Sequence, residues 1–89
     1  MYLMGIDVGT TATKIILIDL LGHVVASVEK PSTLLSPYMG WAEEDANQWW
    51  QNVCQGVPEC IQQLGIDPAE IGAVGCSGMV PTIVLLDEA

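Results

Sequence analysis

Only two of the 89 residues are basic, Lys14 and Lys30, against eleven acidic ones, for a net charge of −9. Nucleic acids and anionic membranes both demand basic patches, so neither is expected as a partner. No apolar run reaches membrane-spanning length, and Asp7 interrupts the N-terminal one, so neither a signal peptide nor a transmembrane helix is expected. Cys54, Cys60 and Cys76 are odd in number and show no C-x-x-C spacing. Cys54 and Cys60 fall in a helical pattern and Cys76 in a buried-strand pattern, where cysteine acts as a small hydrophobe. Reduced thiols and a cytoplasmic location are the expectation. His23, the one histidine, lies in a turn without an evident partner acid and reads as a surface residue. No G-x-G-x-x-G occurs and no second glycine precedes Lys14, which excludes a dinucleotide fingerprint and a Walker A loop. No repeat, low-complexity tract or linker divides the chain, whose length suits one small domain.

What is present is concentrated at the start. Met4-Gly5-Ile6-Asp7-Val8 runs into Gly9-Thr10-Thr11 and re-enters an apolar run, Ala12 to Asp19. Val, Ile and Thr dominate both arms, so the pattern predicts a β-hairpin. A carboxylate at a strand end beside a Gly-Thr-Thr turn suits phosphate and Mg²⁺, because turn N–H groups and hydroxyls can face phosphate oxygens while a hard carboxylate holds the metal. The same residues also suit a plain hairpin with Asp7 capping a strand end. Lys14, one of two cations, sits just past the turn; a solvated strand lysine is the plain alternative.

Strands are predicted over 2–8, 13–20 and Val24 to Lys30, joined by short turns into an antiparallel meander. Pro31 ends the third, and Ser32 to Gly40 is a loop. Asp45 is a natural N-cap, with Gln48 placed for a capping box. Trp49, Val53, Val57, Ile61 and Leu64 mark one apolar helix face; Pro58 predicts a kink or restart and Gly65 a stop. A turn at Asp67-Pro68 leads to Ile71–Cys76, which lacks alternation and so predicts a strand covered on both faces. Gly78 to Pro81 reads as a turn or bulge, and Thr82 to Leu86 as a last strand. The predicted order is βββαββ, with a parallel crossover from the third strand through the helix to the fourth. One helix covers only one face of such a sheet, so a second face is expected to be bare.

Three segments together resemble the N-terminus of the FGGY carbohydrate kinases, which include xylulokinase, gluconokinase and glycerol kinase. Gly5-Ile6-Asp7-Val8-Gly9-Thr10-Thr11 resembles the first phosphate motif, shared with actin, Hsp70 and hexokinase-like ATPases. Gly40-Trp41-Ala42-Glu43-Glu44-Asp45 with Trp49-Trp50 resembles the family's W-x-E-x-D…W-W segment and narrows the choice. Ile71 to Asp87, around Ser77-Gly78-Met79, resembles the strand and turn that reach the sugar pocket.

The resemblance implies an α/β, ribonuclease-H-like domain of the actin/hexokinase-like class, present here over 1–89 as the incomplete N-terminal part of the first kinase domain, with no second domain. It implies phosphoryl transfer from Mg-ATP to a sugar or polyol hydroxyl. Position by position, Asp7 would serve Mg²⁺, Gly9, Thr10 and Thr11 the phosphate turn, and Lys14 the place where glycerol kinases carry an arginine. Lysine supplies that point charge without a bidentate fork. Gly78, Met79, Val80 and Trp41 would contribute to the sugar pocket. The family's catalytic aspartate, which takes the hydroxyl proton, lies beyond residue 89, so the chain alone is expected to be inactive. Xylulokinases read Gly-Gln-Met-His-Gly where this chain reads Gly78-Met79-Val80-Pro81-Thr82, and losing those hydrogen-bonding side chains argues against xylulose. The segment is expected to self-associate or to need the rest of its chain, with a homodimer open for the full-length enzyme. The alternatives are a superfamily ATPase that transfers phosphate to water and a non-catalytic binding module.

Overall fold

The computed structural model describes residues 1–80 and 82–88. Four strands, β1 (Tyr2–Val8), β2 (Ala12–Ile18), β3 (Val24–Pro31) and β4 (Ile71–Gly78), form one sheet in the order β3-β2-β1-β4, and a single helix, α1 (Ala46–Leu64), stands between β3 and β4 in the chain. The first three strands are the expected antiparallel meander. β4 returns beside β1 and parallel to it, so the crossover passes over β2 and β1 before the chain re-enters the sheet.

Period-two alternation sorts the meander into two faces. The register aligns Ala26, Leu17, Met4 and Val74 in one row across the sheet, and Val28, Ile15, Ile6 and Cys76 in the next. Met4, Ile15, Leu17, Ala26 and Val28 from these rows are buried together with Cys60 of α1. The helix presents Asn52, Gly56 and Cys60 as its buried line, flanked by half-buried Val53, Val57 and Ile61. Gly56 permits the closest approach: a Cβ there would sit 2.5 Å from Ile15 Cδ1. Asn52 is buried because its amide has work to do, donating to the Pro31 carbonyl at 3.1 Å where β3 leaves the sheet.

Helix ends follow local chemistry, with one correction. Asp45 caps the helix by accepting from the Asn47 N–H at 2.9 Å, but Gln48 does not complete a capping box. Its Oε1 instead accepts from the Thr33 N–H at 2.8 Å, because the preceding loop folds back over the helix start and offers an unpaired donor. That loop is held by paired backbone hydrogen bonds between Leu35 and Glu43. Pro58 does not make the helix restart: α1 runs unbroken through it, with the Cys54 carbonyl losing the donor that Pro58 lacks. Gly65 ends it in the left-handed region at φ 69°, donating to the Ile61 and Gln62 carbonyls. The capping box occurs instead at the short 3₁₀ turn Pro68–Glu70, between Asp67 and Glu70.

Further expectations are corrected. β4 is not covered on both faces; every residue from Gly72 to Gly78 is exposed, because α1 lies over β2 and β3 and stops short of this edge. The missing alternation came from Gly and Ala, which are small rather than buried. Cys76 and Cys54 are accordingly exposed, and Cys60 alone behaves as the buried hydrophobe. Residues 82–88 form no strand, and Pro81 lies outside the described residues. The second strand ends at Ile18 rather than residue 20, because Asp19 turns the chain by accepting from the Leu21 and His23 N–H groups. His23 does have a partner acid: its Nδ1 lies 3.1 Å from Asp19 Oδ2.

Candidate active site at the end of strand β1

The face of the sheet turned away from α1 carries Asp7, Lys14, Ser27 and Glu29 of the meander. One row across it reads Glu29, Lys14, Asp7 and Ser77, contributed in turn by β3, β2, β1 and β4. Directly opposed residues on neighbouring strands bring their side chains within reach of one another. Lys14 therefore stands between two carboxylates, and Asp7 between an ammonium and a hydroxyl. Ser77 Oγ donates to Asp7 Oδ1 at 3.0 Å. Lys14 is exposed and is not among the ion pairs of the described residues, which are Lys30–Glu59 and His23–Asp19.

The adjacent row supplies space. Gly5 pairs with Gly75, and a Cβ on Gly75 would meet nothing within 4 Å. A hollow of about 600 Å³ opens there, lined by Gly5, Asp7, Lys14, Ile16, Gly75 and Ser77 among others.

Beyond Asp7 the hairpin turns. The Gly9 N–H closes the turn on the Ala12 carbonyl at 2.9 Å, and Thr10 and Thr11 at its tip are exposed. Thr10 Oγ1 lies 3.7 Å from Met79 Sδ, and the Met79 N–H donates to the Val8 carbonyl at 3.1 Å. The turn after β1 and the turn after β4 are thus neighbours, although sixty-nine residues separate Thr10 from Met79.

The expected sugar-side residues scatter. Gly78 closes β4, and Met79 lines a second cleft of about 670 Å³ together with Trp49, Glu44 and residues 82–86. Val80 is exposed and lines neither cleft. Trp41 also lines neither; its ring meets Tyr38 edge-on at 4.8 Å. Of the paired tryptophans, Trp49 is half-buried with its indole N–H on Glu44 at 3.1 Å, and Trp50 is exposed. Sequence reasoning missed Ser77 as a partner of Asp7. Only the parallel pairing of β4 with β1 brings the two together, and nothing near Asp7 in the sequence signals it.

Two groups titrate away from their ordinary values. The His23 backbone N–H holds the Asp19 carboxyl below the usual carboxylate range, and burial pushes the Cys60 thiol up. Neither belongs to the site.

Known proteins of the same kind fix the family. Residues 2–89 match the family model described as the FGGY family of carbohydrate kinases, N-terminal domain. The chain is 34% identical to the xylulose kinase of Staphylococcus epidermidis, covering 96% of this chain and 17% of that one. It is 37% identical to the glycerol kinase of Lactobacillus acidophilus, covering 98% and 17%. The xylulose kinase structure from Rhodospirillum rubrum superposes with a TM-score of 0.92 at 42% identity, over 99% of this chain and 18% of that one. The chain thus spans about one sixth of the length of the curated relatives it matches. Its fold is the α/β, actin/hexokinase-like class that the sequence resemblance implies. With the family model matching residues 2–89 and relatives more than 30% identical across nearly all of them, the chain belongs to the FGGY family of carbohydrate kinases.

Proposed function

We propose that the protein carrying this chain phosphorylates a hydroxyl of a sugar or polyol with ATP, and that the chain supplies its first phosphate and Mg²⁺ site. The observation that carries this reading is the placement of Asp7. It stands one residue from the end of a central strand on an open face, beside a turn with two exposed threonines and a hollow floored by two glycines.

The donor set fits a hydrated divalent cation. Asp7 Oδ1 is oriented by Ser77, while no hydrogen bond of the described residues engages Oδ2. Among the described residues no group of three or more His, Cys, Asp or Glu is arranged to hold a metal ion. Mg²⁺ commonly takes one or two carboxylates, its waters and substrate phosphates rather than an all-protein cage, so a single carboxylate in an open hollow suits it. When bound, the ion supplies charge neutralisation for the phosphates. Asp7 holds it directly or through water. Thr10 and Thr11 orient the phosphate through hydroxyls and turn N–H groups, and Lys14 adds a point charge on the same face. Gly78 and Met79 carry the sugar side to the phosphate turn through the Thr10–Met79 contact, whereas Val80 and Trp41, which line neither cleft, take no part in it. Among the described residues no helix is long and apolar enough to cross a membrane, which suits cytoplasmic metabolism. The open face of the sheet supports packing against the remainder of a longer chain or against a second copy.

A coupled ADP-release assay of the full-length protein over a panel of polyols and ketoses tests the reading. Sugar-dependent turnover is expected, lost by at least about a hundredfold in Asp7→Ala, since metal-borne charge stabilisation is worth several kcal/mol. The melting temperature should stay within a few degrees, because Asp7 is exposed. Turnover that survives Asp7→Ala would refute the assignment.

A further inference from the structure

The polar row holds one residue for which the phosphate site has no assigned task. Ser77 is exposed on the edge strand, where a hydroxyl has water on hand and needs no protein partner. It nonetheless donates to Asp7 Oδ1 at 3.0 Å across the β1–β4 ladder, in direct register with Asp7. A serine hydroxyl offers one proton, and giving it to Oδ1 fixes which oxygen of Asp7 remains open. The next residues along the chain are Gly78 and Met79, and the Met79 N–H and sulfur contact Val8 and Thr10 on either side of Gly9. Ser77 is therefore tied at one end to the carboxylate and at the other to the turn that follows β4.

We propose that Ser77 is a positioning residue: its hydroxyl holds the Asp7 carboxylate with Oδ2 presented to the hollow, and couples that orientation to the Gly78–Met79 turn. The inference rests on the reading of Asp7 given above. An Asp7 side chain without this tether rotates about its χ2, which is broad and roughly two-fold, and presents either oxygen or neither. A hydrogen bond to a charged group is among the stronger kinds, so its loss should be visible even at an exposed site.

The test uses the full-length protein with Ser77→Ala, Ser77→Thr and Ser77→Val, with Asp7→Asn as the control. Two readouts are taken: steady-state kinetics with the best sugar of the panel, and calorimetric titration of Mn²⁺-ADP into the protein without sugar. Ser77→Ala and Ser77→Val should lower kcat about tenfold with little change in the sugar KM, and weaken Mn²⁺-ADP binding by about threefold or more. Ser77→Thr keeps the hydroxyl and should restore both to within about twofold. If Ser77→Ala does not fold, the Thr and Val pair decides, since the two differ mainly in the hydroxyl. Equal behaviour of Thr and Val, or normal kcat and binding in Ser77→Ala while Asp7→Asn is dead, overturns the role of Ser77. Full turnover in Asp7→Asn overturns the phosphate-site reading itself, and the proposal for Ser77 with it.

Discussion

Replacing Gly56 by alanine sets two effects of opposite sign against each other. In a helix interior, alanine is ordinarily better than glycine by about 0.8–1.0 kcal/mol. Here the new Cβ would stand 2.5 Å from Ile15 Cδ1, with Lys30 Cγ at 3.6 Å and Val28 Cγ1 at 3.7 Å. Ordinary contact begins near 3.4 Å, so close to an ångström must be found. Cδ1 is the flexible end of its side chain, but Ile15 is wholly buried and lies in the row between Val28 and Ile6. An added methyl in such a place costs about 1–3 kcal/mol. Gly56→Ala should therefore destabilise the chain by up to about 2 kcal/mol, which for a chain of this size lowers Tm by up to roughly 8–16 °C. Ile15→Val removes the offending Cδ1 and alone costs about 0.5–1.5 kcal/mol. In the double variant the clash is gone while the helix gain remains, so the double should be no less stable than Ile15→Val alone. Thermal and urea unfolding of the four proteins measures the cycle. A Gly56→Ala protein about 1 kcal/mol more stable than wild type, with additive effects in the double, would refute the close packing of α1 on β2.

Thiol labelling and acid titration check other parts of the fold. A thiol reagent at neutral pH should modify exposed Cys54 and Cys76 quickly and leave Cys60, buried and with its thiol pushed up, unreacted until denaturant is added; three equal rates would mean that α1 is not docked. Asp19 has its carboxyl held down by the His23 N–H, so its stabilising contribution is complete above the usual carboxylate pKa, about 3.9, and is lost as pH falls through the lower folded value. Melting curves between pH 5 and 2 should show wild type losing more stability than Asp19→Asn below about pH 4, and parallel curves would mean the turn does not depend on that carboxylate.

The meander was legible because Val, Ile and Thr dominate its strands and because its first turn carries its own chemistry at Gly9. The Asp7 site was legible as a carboxylate beside a Gly-Thr-Thr turn. Its completion was not, since nothing near Asp7 in the sequence announces Ser77, which arrives only through β4 pairing with β1. The reading of β4 as doubly covered failed for a related reason. Glycine and alanine make a segment look uniformly apolar whether it is central or lies at an edge that the helix does not reach. Gln48 carried a correct local signal for a capping box and lost it to a non-local competitor, the Thr33 N–H. His23 was read as unpartnered because an acid four residues earlier was assigned to a strand, not to the turn that brings it back.

The parallel pairing of β4 with β1 also sets an order in time. The meander closes from contacts made within the first thirty-one residues, whereas Asp7 meets its hydroxyl partner across a separation of seventy. Non-local pairing is the slow part of folding, because the loop must be closed before the contact repays it. On a ribosome the carboxylate emerges long before the strand that orients it, and it waits on a finished hairpin with no assembled site around it. On the proposed reading of Asp7, phosphate-binding competence is then a late event in the life of each molecule. For the same reason, detachment of β4 from the sheet edge would disassemble the site while leaving most of the core standing.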